Sequence, residues 1–162
     1  MNFSKQALID DGFEGFISVK DLWNDKSMIL KQMGVYMVLN TESNVEFINP
    51  GVGGFFKGKD PNVDISQLKE KFVNTIVVYI GKAGGSSSKA TLYSRLGQYL
   101  SFGQTKNIGH YGGRYIWQLK NHGNLLFCWK SLQNEEPIVV EKELLSYFKQ
   151  EYSKLPFANL LG

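Results

Sequence analysis

The chain predicts an α+β domain. Three β-favouring runs, at 33–39, 75–80 and 125–129, alternate with helical patterns around 65–72, 91–100 and 137–152, and turns rich in glycine, proline, serine and asparagine separate them. At 162 residues it has the length of one ordinary domain, for which folding buries about 68–70% of the unfolded surface. No internal repeat or long linker divides it, so residues 1–162 are expected to form a single domain.

Composition narrows the function classes. Apolar content of 43% and charged content of 20% are globular values, and 14% aromatic residues is high. The only cysteine, Cys128, sits in the apolar run Leu-Leu-Phe-Cys-Trp, which excludes an intrachain disulfide and a cysteine-based zinc site. The opening Met-Asn-Phe-Ser-Lys-Gln-Ala-Leu-Ile-Asp-Asp carries acids where a secretion signal needs apolar residues, and no apolar run approaches membrane-spanning length. A cytoplasmic protein without membrane contact is expected.

The net charge of +3 hides a strong asymmetry. Between Glu70 and Glu135 there is no acid, while Lys71, Lys82, Lys89, Arg95, Lys106, Arg114, Lys120 and Lys130 supply eight positive charges; the rest of the chain holds ten basic and fifteen acidic residues. Such a block is either a solvated basic face or the footprint of a surface that meets a polyanion.

Each element can be justified in turn. Residues 1–32 mix acids with Phe13, Phe16, Ile17, Leu22 and Trp23, and Ser18 to Asp21 reads as a capping box opening a short helix; the segment is expected to be an extension packed on the core. Met33 to Leu39 is expected as a central strand. Residues 41–72 loosen into an irregular insertion in which Phe55, Phe56, Lys57 and Lys59 either meet a nucleic acid strand or pin the loop to the core. Thr75 to Ile80 is apolar enough to be buried on both faces. It runs into a Gly/Ser-rich turn carrying Lys82 and Lys89, then a helix bearing Arg95 and Tyr99, four apart and so neighbours on its surface. Backbone N–H groups of such a turn and a helix N-terminus suit phosphate oxygens. Walker spacing fails, however, because Gly81-Lys-Ala-Gly-Gly-Ser lacks the four residues and the Gly-Lys-Ser/Thr that it requires. Ile108 to Leu119 is dense in residues that contact nucleic acid or fill cores, with His110 and Arg114 as candidates for substrate contact. Pro137 fits the first turn of the last helix. On that helix Glu141 lies three and four residues before Leu144 and Leu145 and so faces inward, whereas Glu143 is rotated away. An inward carboxylate needs a partner, and a divalent cation is one.

Taken together, Gly34-Val-Tyr36, Tyr79-Ile-Gly81, Lys82, the Arg95 helix, Glu141 ahead of two leucines and Asn159 in the Pro-Phe-Ala-Asn tail resemble the GIY-YIG nuclease family. The resemblance covers roughly residues 33–160. It implies a small mixed or antiparallel central sheet flanked by helices, and endonucleolytic hydrolysis of phosphodiester bonds in DNA with one Mg²⁺ or Mn²⁺ ion bound at Glu141. It further implies Tyr36 as general base, Tyr79 as its assistant holding water or phosphate, and Arg95 as the stabiliser of charge on the phosphoryl oxygens, supported by Lys82, Tyr99 and Asn159. Lys82 serves either the base or the phosphate, and Asn159 either orients a neighbour or caps the final turn. Lys89, His110 and Arg114 are expected to contact the nucleic acid. A phenol of ordinary pKa near 10 requires nearby positive charge to act near neutrality.

Two departures from the family pattern matter. Tyr99 occupies a position where many members carry histidine, and the segment between the first two motifs is much longer than in compact members. The alternative to an enzyme is a nucleic-acid-binding module that keeps the fold and has lost cleavage. Selectivity must come from the insertions, a homodimer or a protein partner.

Overall fold

The computed structural model describes residues 2–160. Four strands, β1 (Glu14–Ser18), β2 (Gly34–Leu39), β3 (Val77–Ala83) and β4 (Leu126–Ser131), form an antiparallel sheet in the order β1-β4-β2-β3. Five helices accompany it: α1 (Lys5–Asp10), α2 (Val19–Asn24), α3 (Ile65–Lys71), α4 (Leu92–Phe102) and α5 (Pro137–Tyr152). The architecture is α+β, as the alternating patterns predict.

The central strand β2 is buried at every position. Its side chains alternate between two cores: Val35, Met37 and Leu39 meet α1 and α5 through Leu8, Leu144 and Phe148, and Tyr36 and Val38 meet the layer of Leu92, Leu96, Trp117 and Phe157. Gly34 opens β2 because a Cβ there would collide with the carbonyl oxygen of Lys130 on the neighbouring strand. A side chain would push β4 away.

β3 is an edge strand, yet all its residues but Lys82 are buried, as its apolar run predicts. The chain's tail satisfies part of its open edge. Ala158 N–H donates to Val78 O at 2.8 Å, and the Asn159 amide pairs with both backbone groups of Ile80, accepting from N–H and donating to C=O at 2.9 Å each. Lys71 Nζ fixes this tail by donating to the carbonyls of Asn159 at 2.7 Å and Pro156 at 3.3 Å. The open edge is thus satisfied by a side-chain amide acting as a short extra strand.

The segment before β2 is more than an extension packed on the core, since it supplies strand β1. Gly15 and Phe16 have φ of +95° and +56°, and the register with β4 shifts there, so the strand is bulged. Ser18 caps α2 as expected, its Oγ accepting from Asp21 N–H at 3.2 Å.

The 41–72 insertion is stitched to the segment that follows α4. Buried Gln118 accepts from Val63 N–H at 2.9 Å and donates to Ile48 O and Val63 O at 3.0 and 2.9 Å. Phe56 lies against Gly109, Lys57 N–H donates to Asn107 Oδ1 at 3.1 Å, and Thr105 N–H donates to Val52 O at 3.0 Å. Phe56 therefore pins the loop to the core, while Phe55 stands 53% exposed. Among the described residues no helix is long and apolar enough to cross a membrane.

Candidate active site

β2, β3, α4 and α5 each contribute one part of a cleft. Tyr36 lies opposite Gly81 in the β2–β3 ladder and Tyr79 opposite Val38, so the two phenols share a face, ring centres 6.0 Å apart. Gly81 is required by this arrangement: a Cβ on it would meet Tyr36 Cζ and Oη at 2.5 and 2.6 Å. α4 begins at a capping box, with Thr91 and Ser94 bonding reciprocally, and one turn later presents Arg95. α5 starts at Pro137 and turns Glu141 inward while Glu143 stays exposed. Tyr36, Tyr79, Lys82, Arg95, Gln98 and Glu141 line a single cleft of about 420 Å³.

Among the described residues, no counter-ion lies within ion-pair distance of the charges in this cleft. Arg95 Nη1 donates to Gly109 O and to Gln98 Oε1, both at 3.1 Å, which orients the guanidinium by uncharged partners. Glu141 is half-buried and, among the described residues, takes no hydrogen bond or ion pair; the two ion pairs found there, Lys120–Glu46 and Lys130–Asp11, lie elsewhere. Burial raises the Glu141 carboxyl above its usual range, against the opposing pull of Lys82, Lys142 and Arg95. A half-buried, unpartnered carboxylate facing an open cleft fits Mg²⁺, which takes one or two protein carboxylates and completes its shell with water and phosphate oxygens.

Behind the cleft lies an aromatic stack that the sequence does not announce. His110 is 1% exposed, its ring parallel to Tyr99 with centres 3.6 Å apart, and its Nε2 is 2.7 Å from Tyr36 Oη. The expectation that His110 touches substrate is corrected by this burial: it touches the Tyr36 hydroxyl instead. Burial, with the Arg95 charge adding to it, pushes the imidazole pKa well below its usual value, so the ring is neutral. Tyr99, too, is buried, and its hydroxyl donates to Gly113 O at 2.7 Å. It supports His110 and does not enter the cleft.

The electrostatics of Tyr36 also differ from expectation. Desolvation drives its pKa well above 10, with Tyr79 and Glu141 adding to the rise; Arg95 alone opposes them. Tyr79 is pushed up to about 12, chiefly by burial. Both phenols are protonated in the protein as it stands.

The remaining sequence candidates fall in distinct places. Asn159 does not reach the cleft of Arg95; it holds Ile80, between Tyr79 and Gly81. Lys89 is exposed in the 84–90 turn beside the cleft, whose lining there is Gly84, Ser88 and Ala90. Arg114 stacks on Tyr111 next to a neighbouring cleft, its Cζ 3.9 Å from the ring centre. Gln98, which orients Arg95, went unnoticed in the sequence; its signal was the helical three-residue spacing from Arg95. Comparison with known proteins returned nothing: no family model matches the chain, nor does any curated protein or solved structure.

Proposed function

We propose that the protein is a divalent-metal-dependent endonuclease of the GIY-YIG type, hydrolysing phosphodiester bonds in DNA. One observation carries the reading: Tyr36, Tyr79, Lys82, Arg95 and Glu141, contributed by four separate elements, line one cleft whose two cations and carboxylate make no ion pair among the described residues. A phosphodiester and a cation fit that charge pattern. Purely structural residues would be paired with one another.

In this reading Glu141 would hold one Mg²⁺ or Mn²⁺ ion, which would supply Lewis acidity toward the phosphate and make water more acidic. Arg95, preoriented by Gly109 and Gln98, faces the charge that grows on the phosphoryl oxygens during attack. Lys82 neutralises the incoming phosphate. Water forms the new P–O bond as the bond to the leaving sugar oxygen breaks; Tyr36, in its phenolate form, accepts the proton of the attacking water, and the leaving oxygen takes one from solvent. His110 fixes the Tyr36 hydroxyl, and Tyr79 holds the adjacent water or phosphate oxygen. Because the Glu141 charge is one cause of the high Tyr36 pKa, neutralising that charge makes the phenol more acidic.

The test is a panel of single-stranded, duplex, branched and modified DNA incubated with Mg²⁺ or Mn²⁺. Cleavage is expected in wild type and is lost in Glu141→Ala and in Arg95→Ala, which still bind; removing an oriented cationic donor costs about 10²–10³ in kcat. Binding without cleavage by the wild type on every substrate would identify a binding module instead. Preferential cutting of RNA would overturn the substrate class.

A further inference from the structure

A second cleft, of about 360 Å³, opens beyond Tyr79 and Glu141 and is lined by Tyr111, Arg114, Leu145 and Asn159. Tyr79 and Glu141 line both clefts, so they stand between Arg95 on one side and Arg114 on the other.

Arg114, like Arg95, is oriented by a backbone carbonyl and makes no ion pair among the described residues. Its Nη1 donates to Tyr111 O at 3.1 Å, its Cζ lies 3.9 Å over the Tyr111 ring, and its Nε is buried with no partner. No carboxylate pairs with it among the described residues. The insertion secures the platform: Tyr111 Oη donates to Asp60 O at 3.2 Å, and Lys59 Nζ sits 5.6 Å from the same ring. A half-buried guanidinium satisfied only by a carbonyl and an aromatic face retains donors for an anion. Leu145 offers an apolar surface in the same cleft, so one space joins an anion donor to a wall against which a sugar or base can pack.

We propose that this second cleft is a binding subsite for the nucleotide next to the scissile phosphate on the side away from Lys82, with Arg114 holding that nucleotide's phosphate. The inference rests on the nuclease reading above and extends it. The strand enters through one cleft and leaves through the other, so cleavage is internal and requires a phosphate on each side of the cut. The 41–72 insertion thereby gains a role, since it fixes the Tyr111 platform on which Arg114 lies.

The test uses the full chain and whichever substrate of the DNA panel the wild type cuts, resynthesised with a neutral methylphosphonate at one phosphate at a time around the cut. In wild type, neutralising one particular neighbouring phosphate should raise KM about tenfold, the scale expected for losing a charged hydrogen bond. In Arg114→Ala that same substitution should add no further loss, while phosphates on the opposite side of the cut stay as sensitive as before. Arg114→Lys, which keeps the charge over Tyr111 and loses the planar fork, should fall between them and serves if the alanine variant does not fold. Identical scanning profiles in wild type and both variants would overturn the subsite while leaving the nuclease reading intact. If wild type cuts no member of the panel, the nuclease reading fails and takes the subsite with it.

Discussion

Tyr36 Oη and His110 Nε2 lie 2.7 Å apart, bridging the central strand and a loop seventy-four residues later. Both residues are almost wholly buried, so each is the other's main hydrogen-bond partner. His110 Nδ1 has no partner, which already makes this a costly place for a polar ring. His110→Ala should therefore lower unfolding stability by about 2–4 kcal/mol, combining a cavity under Tyr99 with an orphaned phenol. A double-mutant cycle with Tyr36→Phe, followed by urea denaturation, should give a coupling of at least about 1 kcal/mol. Strict additivity would show that the two residues do not depend on each other.

The chemistry of Tyr36 has a sign that can be measured. Its pKa is raised well above 10, so the fraction of phenolate increases throughout the accessible pH range. If Tyr36 accepts the proton, kcat with saturating Mg²⁺ should climb by up to about tenfold per pH unit between pH 7 and 9 and should not level off there. A plateau below pH 8 would mean that another group is the base. Tyr36→Phe should flatten the profile as well as lower the rate.

What the sequence disclosed follows from how locally each feature is encoded. β2, α4 and α5 carry their periodicity in contiguous residues, so the strand of Tyr36 and the helices of Arg95 and Glu141 were legible, including the inward turn of Glu141. β1 was not, because positive φ at Gly15 and Phe16 breaks the two-residue alternation that betrays a strand. The reach of His110 was hidden for a different reason. It depends on the insertion packing Phe56 and Asn107 around the loop, a contact between segments about fifty residues apart with no pattern in either. The edge position of β3 was likewise masked, since the Asn159 amide substitutes for a neighbouring strand and lets an apolar run survive at the sheet's margin.

Gly81 offers a structural lever on the same site. Any Cβ there meets Tyr36 Cζ and Oη at 2.5 and 2.6 Å, and the ring cannot retreat without leaving His110. Gly81→Ala should cost about 1–3 kcal/mol of stability, as overpacked cores do, and, if Tyr36 is the base as proposed, should reduce kcat about 10²-fold because a displacement near 1 Å misplaces it. Thermal unfolding and single-turnover cleavage would separate the two effects. Wild-type stability and rate together would show that Tyr36 does not lie across Gly81.

Asn159 is expected to act through the backbone alone. Asn159→Ala removes both bonds to Ile80 and frees the edge of β3 beside Tyr79. The Ile80 amide should then exchange with solvent deuterium about tenfold faster or more, while amides of β2 remain protected. Cleavage should weaken through kcat, since the amide holds the strand that carries Tyr79. Unchanged exchange at Ile80 would remove the tail from the account of the site.

Glu141 should make the metal-free protein less stable than it could be. Its carboxyl pKa is raised in the folded state, chiefly by burial, so the folded chain holds the proton more tightly than the unfolded chain does. Stability from this source is fully present below the unfolded value of about 4.3 and is lost as pH rises through the higher folded value. Glu141→Gln carries no such charge, so its Tm in chelator should match wild type near pH 4 and exceed it by about 1–3 °C at pH 8, a modest gain because the group is partly solvated. Adding Mg²⁺ at pH 8 should raise the wild-type Tm and leave Glu141→Gln unmoved. A variant that is less stable than wild type at pH 8 in chelator would mean that the carboxylate has a protein partner after all, and a variant that still responds to Mg²⁺ would place the ion elsewhere.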